Sequence, residues 1–306
     1  MLYKYADDQG AYLAALLTYY GFLSLFPLLL LLSTILNFAL AGNPGLQQRV
    51  YDSALGQFPI VGDQLARHHA ITGSPIALTV GIIGTLYGGL GVAQAGQNAM
   101  NTIWRVPRNE RPNPLASRLR GLLLLLVVGI AIIGTTVLSA LGASAKDFGA
   151  DVGTGLKIAL IGVAFVVNVV VFSLGFAVAT ARDMRPADVV PGAIGAAVVW
   201  QVLQYFGATY VAHVVKHASV SNSVFALVLG LIAWIYLEAI IVVLAAEFNV
   251  VRSQRLWPRS LLTPFTDDVQ LTPADEAAYT AQVESQRSKS FQHIGVVYRR
   301  RRRRRG

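Results

Sequence analysis

Residues 11–41 contain no Asp, Glu, Lys or Arg. A helix rises 1.5 Å per residue, so about 20 apolar residues cross the hydrocarbon core of a bilayer. A charge-free run longer than that is hard to hide inside a water-soluble fold. The pattern returns over residues 74–96, 121–145, 158–181, 189–215 and 222–250, the third run lying between Arg120 and Lys146 and the fourth between Lys157 and Arg182. Transmembrane barrel strands are about ten residues long and alternate in polarity; these runs are longer and continuous. The expectation is an all-α, polytopic membrane bundle of six transmembrane helices. Composition agrees, with 54% hydrophobic and 13% charged residues, where a soluble domain carries about 25% charged.

Charge orients the bundle. With the N-terminus inside, 20 of the 25 basic residues fall on the inner side, and Arg49, Arg67, Lys146, Lys157 and Lys216 on the outer side. The positive-inside rule therefore predicts both termini in the cytoplasm of a bacterial-type plasma membrane. The start, MLYKYADDQG, lacks the apolar core and cleavage site of a signal peptide, so the first run is expected to be retained. In residues 43–73, Leu46, Val50, Ala54, Leu55 and Phe58 recur at helical spacing and predict an amphipathic helix on the outer surface. After a membrane domain over residues 1–258, residues 259–306 are polar and without sustained periodicity, and read as a mostly disordered basic cytoplasmic tail. Residues 299–305 are all arginine, from Arg299 to Arg305. Each basic residue near an anionic inner leaflet contributes about 1 kcal/mol, so lipid is the expected partner. Nucleic acid is disfavoured because no aromatic residues interleave the run. Oligomerisation is left open.

Polar residues inside the runs are the candidates for function, because burying them in lipid is costly. Glu238 lies near the middle of the sixth run, where it is read either as a proton- or cation-coupling carboxylate or as a protonated carboxyl bonded to a Gln or Tyr. Gln201 and Gln204 lie near mid-membrane in the fifth run, within a stripe of small residues that includes Ala193 and Ala197; their alternatives are a cavity wall or helix-to-helix glue. Tyr20, Ser24 and Pro27 share one face of the first run, and Pro27 removes a backbone donor and predicts a kink. In the second run Gly84, Gly88 and Gly91 form a small-residue stripe that reads mainly as close packing. Its inner end adds Asn98 and Asn101, which either line a cavity or sit at headgroup level. Glu247 lies near the inner end of the sixth run, where Arg105 or Arg252 is the expected partner. His213 and His217 stand one turn apart, but with no carboxylate nearby in sequence a metal site is not expected. The chain has no cysteine and no G-x-x-x-x-G-K-[ST] motif, which excludes disulfides and its own P-loop ATP hydrolysis. No cofactor is expected.

Three stretches then carry a resemblance: AALLTYYGFLSLFPLLLLLSTIL, NAMNTIWRVPRNERP, and the last pair PGAIGAAVVWQVLQYFGATYV and SVFALVLGLIAWIYLEAIIVVLAAEFN. In this order and spacing the chain resembles the BrkB/YihY family of bacterial inner-membrane proteins. The matching positions include Tyr19, Tyr20, Ser24, Pro27, Asn101, Trp104, Pro107, Pro191, Gly192, Trp200, Tyr236, Glu247 and Asn249. Glu238 departs from that pattern. The resemblance implies six helices with both termini inside, and it brings the labels ribonuclease BN and virulence factor together with an envelope-related transport role. The polar stripes favour a non-ATPase transporter or lipid-handling permease; a permease for envelope components is what the resemblance implies. The alternatives are a structural, lipid-organising protein and, last, a membrane-bound ribonuclease. Acid–base groups for RNA cleavage are sparse on the inner loops, where Glu110, Asp183 and Asp188 stand among arginines, and the chain is not expected to be an enzyme.

Overall fold

The computed structural model describes residues 1–39, 75–147, 154–215, 223–260 and 270–298. Each apolar run folds as one long helix. A short α1 (Leu2–Asp7) leads into α2 (Gly10–Ala39). Then follow α3 (Pro75–Ile103), α4 (Pro114–Asp147), α5 (Thr154–Ala179), α6 (Pro186–Val215), α7 (Ser223–Ser253) and α8 (Pro273–Glu284). No strand occurs among the described residues. Proline opens α3, α4, α6 and α8; at the first helical position its missing N–H would have no partner anyway.

Residue size is sorted as lipid demands. Ala14, Ala99, Ala193, Ala196, Ala197 and Ala246 are buried, whereas Ile130, Ile158, Ile161 and Val166 lie between 57% and 65% exposed. A water-soluble core does the reverse. In a bilayer the tails are as apolar as leucine, so helices associate through small residues that let backbones approach, and the large side chains face lipid. Runs long and apolar enough to cross a membrane occur in Pro114–Ala131, Ile161–Ala179, Pro186–Gln204 and Val228–Ser253, and α2 adds the shorter apolar Gly10–Leu25. The chain is a helical membrane bundle.

The α2–α3 contact shows the packing at its closest. A Cβ on Gly84 would stand 2.7 Å from Pro27, one on Gly88 2.7 Å from Ser24 Cα, and one on Gly91 2.3 Å from the Tyr20 ring. The glycine stripe of one helix thus receives the Tyr20–Ser24–Pro27 face of the other. Helix α2 continues through Pro27.

Consecutive long helices run back and forth, so alternate connections meet at one end. There the N-terminus, the α3–α4 connection, the α5–α6 connection and the chain after α7 touch one another: Lys4 reaches Ile103 O, Asn101 reaches Ala181 N, and Arg259 reaches Asp7. The segment after α7 differs from the sequence expectation. Residues 270–298 are ordered, with α8 starting at a capping box in which Thr272 and Asp275 each bond the other's backbone N–H. The expected outer amphipathic helix over residues 43–73 and the arginines at 299–305 lie outside the described residues.

Candidate functional site

The end where the four segments meet holds a buried network of charge. Lys4 is 1% and Glu247 0% exposed. The Lys4 ammonium pairs with Asp8, donates to Ile103 O at 2.6 Å and stands 2.9 Å from Glu247 Oε2. The last contact is a charge contact without hydrogen-bond alignment, and neither Glu247 oxygen accepts a hydrogen bond among the described residues. Arg105 Nη2 bonds Asp8 Oδ1 at 3.2 Å. Two cations and two carboxylates from α1, the α1–α2 turn, the end of α3 and α7 therefore balance. The partner of Glu247 is Lys4, not the Arg105 or Arg252 expected from sequence. Lys4 is carried under the bundle by a helix of six residues, too short to show periodicity, and that displaces the arginines.

Backbone geometry fixes Arg105. It has φ 54°, and Val106 N bonds back to Asn101 O at 2.8 Å, closing the end of α3 where glycine normally takes the left-handed position. Arg255 repeats this at the end of α7, with φ 52° and Leu256 N bonded to Val251 O. A side chain in this region costs about 1–2 kcal/mol, so Arg105 holds its place through its contacts.

Next to the network, α7 staples the start of α6. Pro191 lies inside α6 and has no N–H to give the carbonyl four residues before it. That carbonyl, Ala187 O, accepts from Arg252 Nη1 at 3.1 Å. Asn249 accepts from Gly192 N at 2.7 Å and donates to Val189 O at 2.9 Å, and Ser253 donates to Asp188. Asn101 likewise accepts from Ala181 N at 2.7 Å and ties α3 to the end of α5. Pro191, Gly192, Glu247, Asn249 and Asn101 thus hold the helix ends in register.

The C-terminal segment is strapped across this end. Arg259 bridges Asp7 and Asp275, each at 2.8 Å, with its guanidinium over the Tyr279 ring. Arg287 pairs with Glu110 and donates to Asn109, while Arg108 N and Asn109 N donate to Ser285 O and Arg287 O. Burial alone would raise the Asp275 carboxyl; Arg259, Thr272 and Ser260 outweigh it and hold that carboxyl well below the usual range. A depressed carboxylate stabilises above its unfolded pKa and loses that contribution as pH falls toward the folded value. Hydrogen exchange in α8 is therefore expected to stay slow through neutral pH and to quicken only below about pH 4. Release of α8 near pH 6 would contradict this.

Beside the strap a cleft of about 660 Å³ opens between the α3–α4 and α5–α6 connections. Trp104, Arg105, Pro107, Arg120, Arg182 and Asp183 are among its walls. Trp104 and Arg105 are buried and Arg120 and Arg182 exposed.

Of the other sequence candidates, Tyr20 and Ser24 meet the glycines of α3, and Ser24 Oγ donates to Gly21 O. Asn98 is exposed and accepts from Arg111. Glu238 is half-buried alongside Trp234, itself packed over Gly207 of α6, and forms no ion pair among the described residues. Gln201 and Gln204 are half-buried on α6. Among the described residues no three His, Asp or Glu side chains converge as a metal site would require. Sequence reasoning missed Lys4, Asp8, Arg259 and Asp275. For Asp275 a signal existed: Thr272-Pro-Ala-Asp275 is a helix-start pattern with proline at the first position.

The family model for the virulence factor BrkB matches residues 1–265. Similar relatives include a UPF0761 membrane protein of Halorhodospira halophila, 26% identical over 81% of this chain and 55% of that protein. Another is the ribonuclease-like protein YfkH of Bacillus subtilis, 22% identical over 82% and 93%. A UPF0761 membrane protein of Pseudoalteromonas atlantica is 25% identical over 76% and 78%. The chain thus spans about half the length of the Halorhodospira protein. No solved structure matches it.

Proposed function

The chain belongs to the virulence factor BrkB family of membrane proteins, and from that premise we propose that it is a six-span, N-in and C-in permease of the bacterial plasma membrane. It moves a lipid or another envelope component without hydrolysing ATP. The observation that carries this reading is the cleft at the basic end, of the size that holds small ligands. Elsewhere in the bundle Gln201, Gln204 and Glu238 stand along the apolar runs of α6 and α7, and polar groups at such depth mark transport paths more often than lipid-facing surface.

Topology is tested first. Cysteine at Ser144 is expected to react with an impermeant reagent applied to intact cells, and cysteine at Asn109 or Ser288 to be shielded. Outside labelling of Asn109→Cys would remove the six-span arrangement. For activity, the purified chain is reconstituted in vesicles containing a fluorescent phospholipid, and dithionite is added outside. A lipid permease is expected to let bleaching proceed beyond the outer leaflet. Bleaching that stops there would favour the lipid-organising alternative. Metal-dependent cleavage of RNA by the pure protein would instead bring forward the activity in the YfkH name; in this chain Glu110 is tied to Arg287.

A further inference from the structure

The outward surface of the bundle is not uniform. On α4 and α5 the large exposed side chains are aliphatic, Ile130, Ile161, Val166 and Val170 among them. Beside the α2–α3 seam they are not. Tyr20 and Ser24 of α2 meet Gly91 and Gly88 of α3 in that seam. The two helices are antiparallel, so in both of them the residue just before a seam position falls on the same side. Those residues are Tyr19 and Leu23 on α2, Tyr87 and Leu90 on α3, and Gln94 stands two turns from Tyr87 on the same face. Tyr19 is 61% and Tyr87 72% exposed, and Gln94 is exposed as well. Ala14, Thr18 and Leu25, on the other side of α2, are buried, so this face looks away from the remaining helices.

Its polar groups lie deep. The middle of α3 (Pro75–Ile103) is at residue 89, which puts Gln94 about 8 Å from it. Tyr19 stands about as far from the middle of α2 (Gly10–Ala39), toward the same inner end. The hydrocarbon core reaches about 15 Å to either side of the bilayer centre, so both side chains belong to the core and not to the headgroups. The Gln94 amide has no hydrogen-bond partner among the described residues, and a lipid tail offers none.

We propose that this face is covered by a second copy of the chain, in a dimer whose twofold axis runs along the membrane normal. Such an axis keeps every side chain at its own depth, so Gln94 and Tyr19 of one copy meet Gln94 and Tyr19 of the other. The face is complementary to itself. It carries no charge to repel its copy, and an amide and a phenol each bring both a donor and an acceptor. Amide side chains join membrane helices by such bonds. A lipid covers the face with apolar contact alone and leaves the Gln94 amide open. The dimer does not depend on what the bundle moves.

The chain has no cysteine, so single cysteines report proximity without background. They are placed at Leu23, Ile83 and Leu90 on the face, and at Ile161 on α5 as the control. The full chain is reconstituted in vesicles of neutral lipid and oxidised with copper phenanthroline. A disulfide needs Cα atoms within about 7 Å, and at least one of the three face positions is expected to link two copies well ahead of Ile161→Cys. Association is then read as energy transfer between labelled copies while lipid dilutes them. Gln94→Leu is expected to weaken it about tenfold, the effect of losing hydrogen bonds between helices in a bilayer. Leucine suits a lipid-facing position, so loss of the dimer in this variant is not loss of the fold. Linking at the three face positions no faster than at Ile161, or Gln94→Leu associating as the parent does, would overturn the dimer. A parent chain that stays monomeric at every dilution would give the face to lipid and overturn it too.

Discussion

Glu247→Ala is expected to destabilise the bundle by about 3–5 kcal/mol, the cost of removing one partner from a buried ionic network. The change leaves Lys4 and Arg105 facing Asp8 alone, a net positive charge where Lys4 and Glu247 are all but inaccessible to solvent. Lys4→Met is expected to cost a similar amount for the opposite reason: Glu247 loses its cation, and neither of its oxygens has a hydrogen bond among the described residues to fall back on. Combining Lys4→Met with Glu247→Ala leaves the Asp8–Arg105 pair electrically balanced. The double variant should therefore lose less than the two singles together, by a coupling of about 0.5–3 kcal/mol. Unfolding in detergent, followed by tryptophan fluorescence, measures all three. Strict additivity would mean that the 2.9 Å approach of Lys4 to Glu247 contributes nothing.

The same pair shows what the sequence could reveal. The six long helices among the described residues were legible because each rests on a local property, an uninterrupted apolar run. Their observed bounds differ from the runs mainly where a helix continues beyond the apolar stretch, as α3 does to Ile103 and α4 does from Pro114. The Tyr20–Ser24–Pro27 face and the Gly84–Gly88–Gly91 stripe were each visible as periodicity. That one is the seat of the other was not, because it depends on the relative rotation of two helices. The depth of Glu247 could be read, but its partner could not, since Lys4 is near the opposite end of the chain and chain distance says nothing of which cation folds underneath. The cleft was harder still. Arg105 looks like any inner-loop arginine until its positive φ and its bond to Asp8 turn it inward. The strap was lost to composition: a polar segment without periodicity reads as disorder, and α8 is held by Arg259, Asp7 and Asp275 rather than by an apolar stripe.

Gly192→Ala is expected to destabilise the protein by about 3 kcal/mol, although alanine is the better helix former. A Cβ at this position would stand 2.4 Å from Ala245 O and 2.5 Å from Asn249 Nδ2. The first is backbone of α7 and cannot turn aside, so α6 must move away; forced overpacking of this kind costs about 1–3 kcal/mol. Moving α6 also breaks the bonds of Asn249 to Gly192 N and Val189 O, and each buried polar group left open adds about 1–3 kcal/mol. Gly129 and Gly134 serve as controls, because nothing lies within 4 Å of a Cβ at either. Their alanine variants should be unchanged or up to about 1 kcal/mol more stable, following helix propensity. Asn249→Asp keeps the acceptor for Gly192 N but sets a buried carboxylate oxygen against Val189 O, so it should cost at least as much as Asn249→Ala. In an Asn249→Ala background Gly192→Ala should cost less than it does alone, since one obstruction is already gone. It should still cost something, because Ala245 O remains. If Gly192→Ala instead unfolds at the same temperature as Gly129→Ala, the close approach of α6 to α7 at this end is wrong, and with it the register that sets Glu247 opposite Lys4.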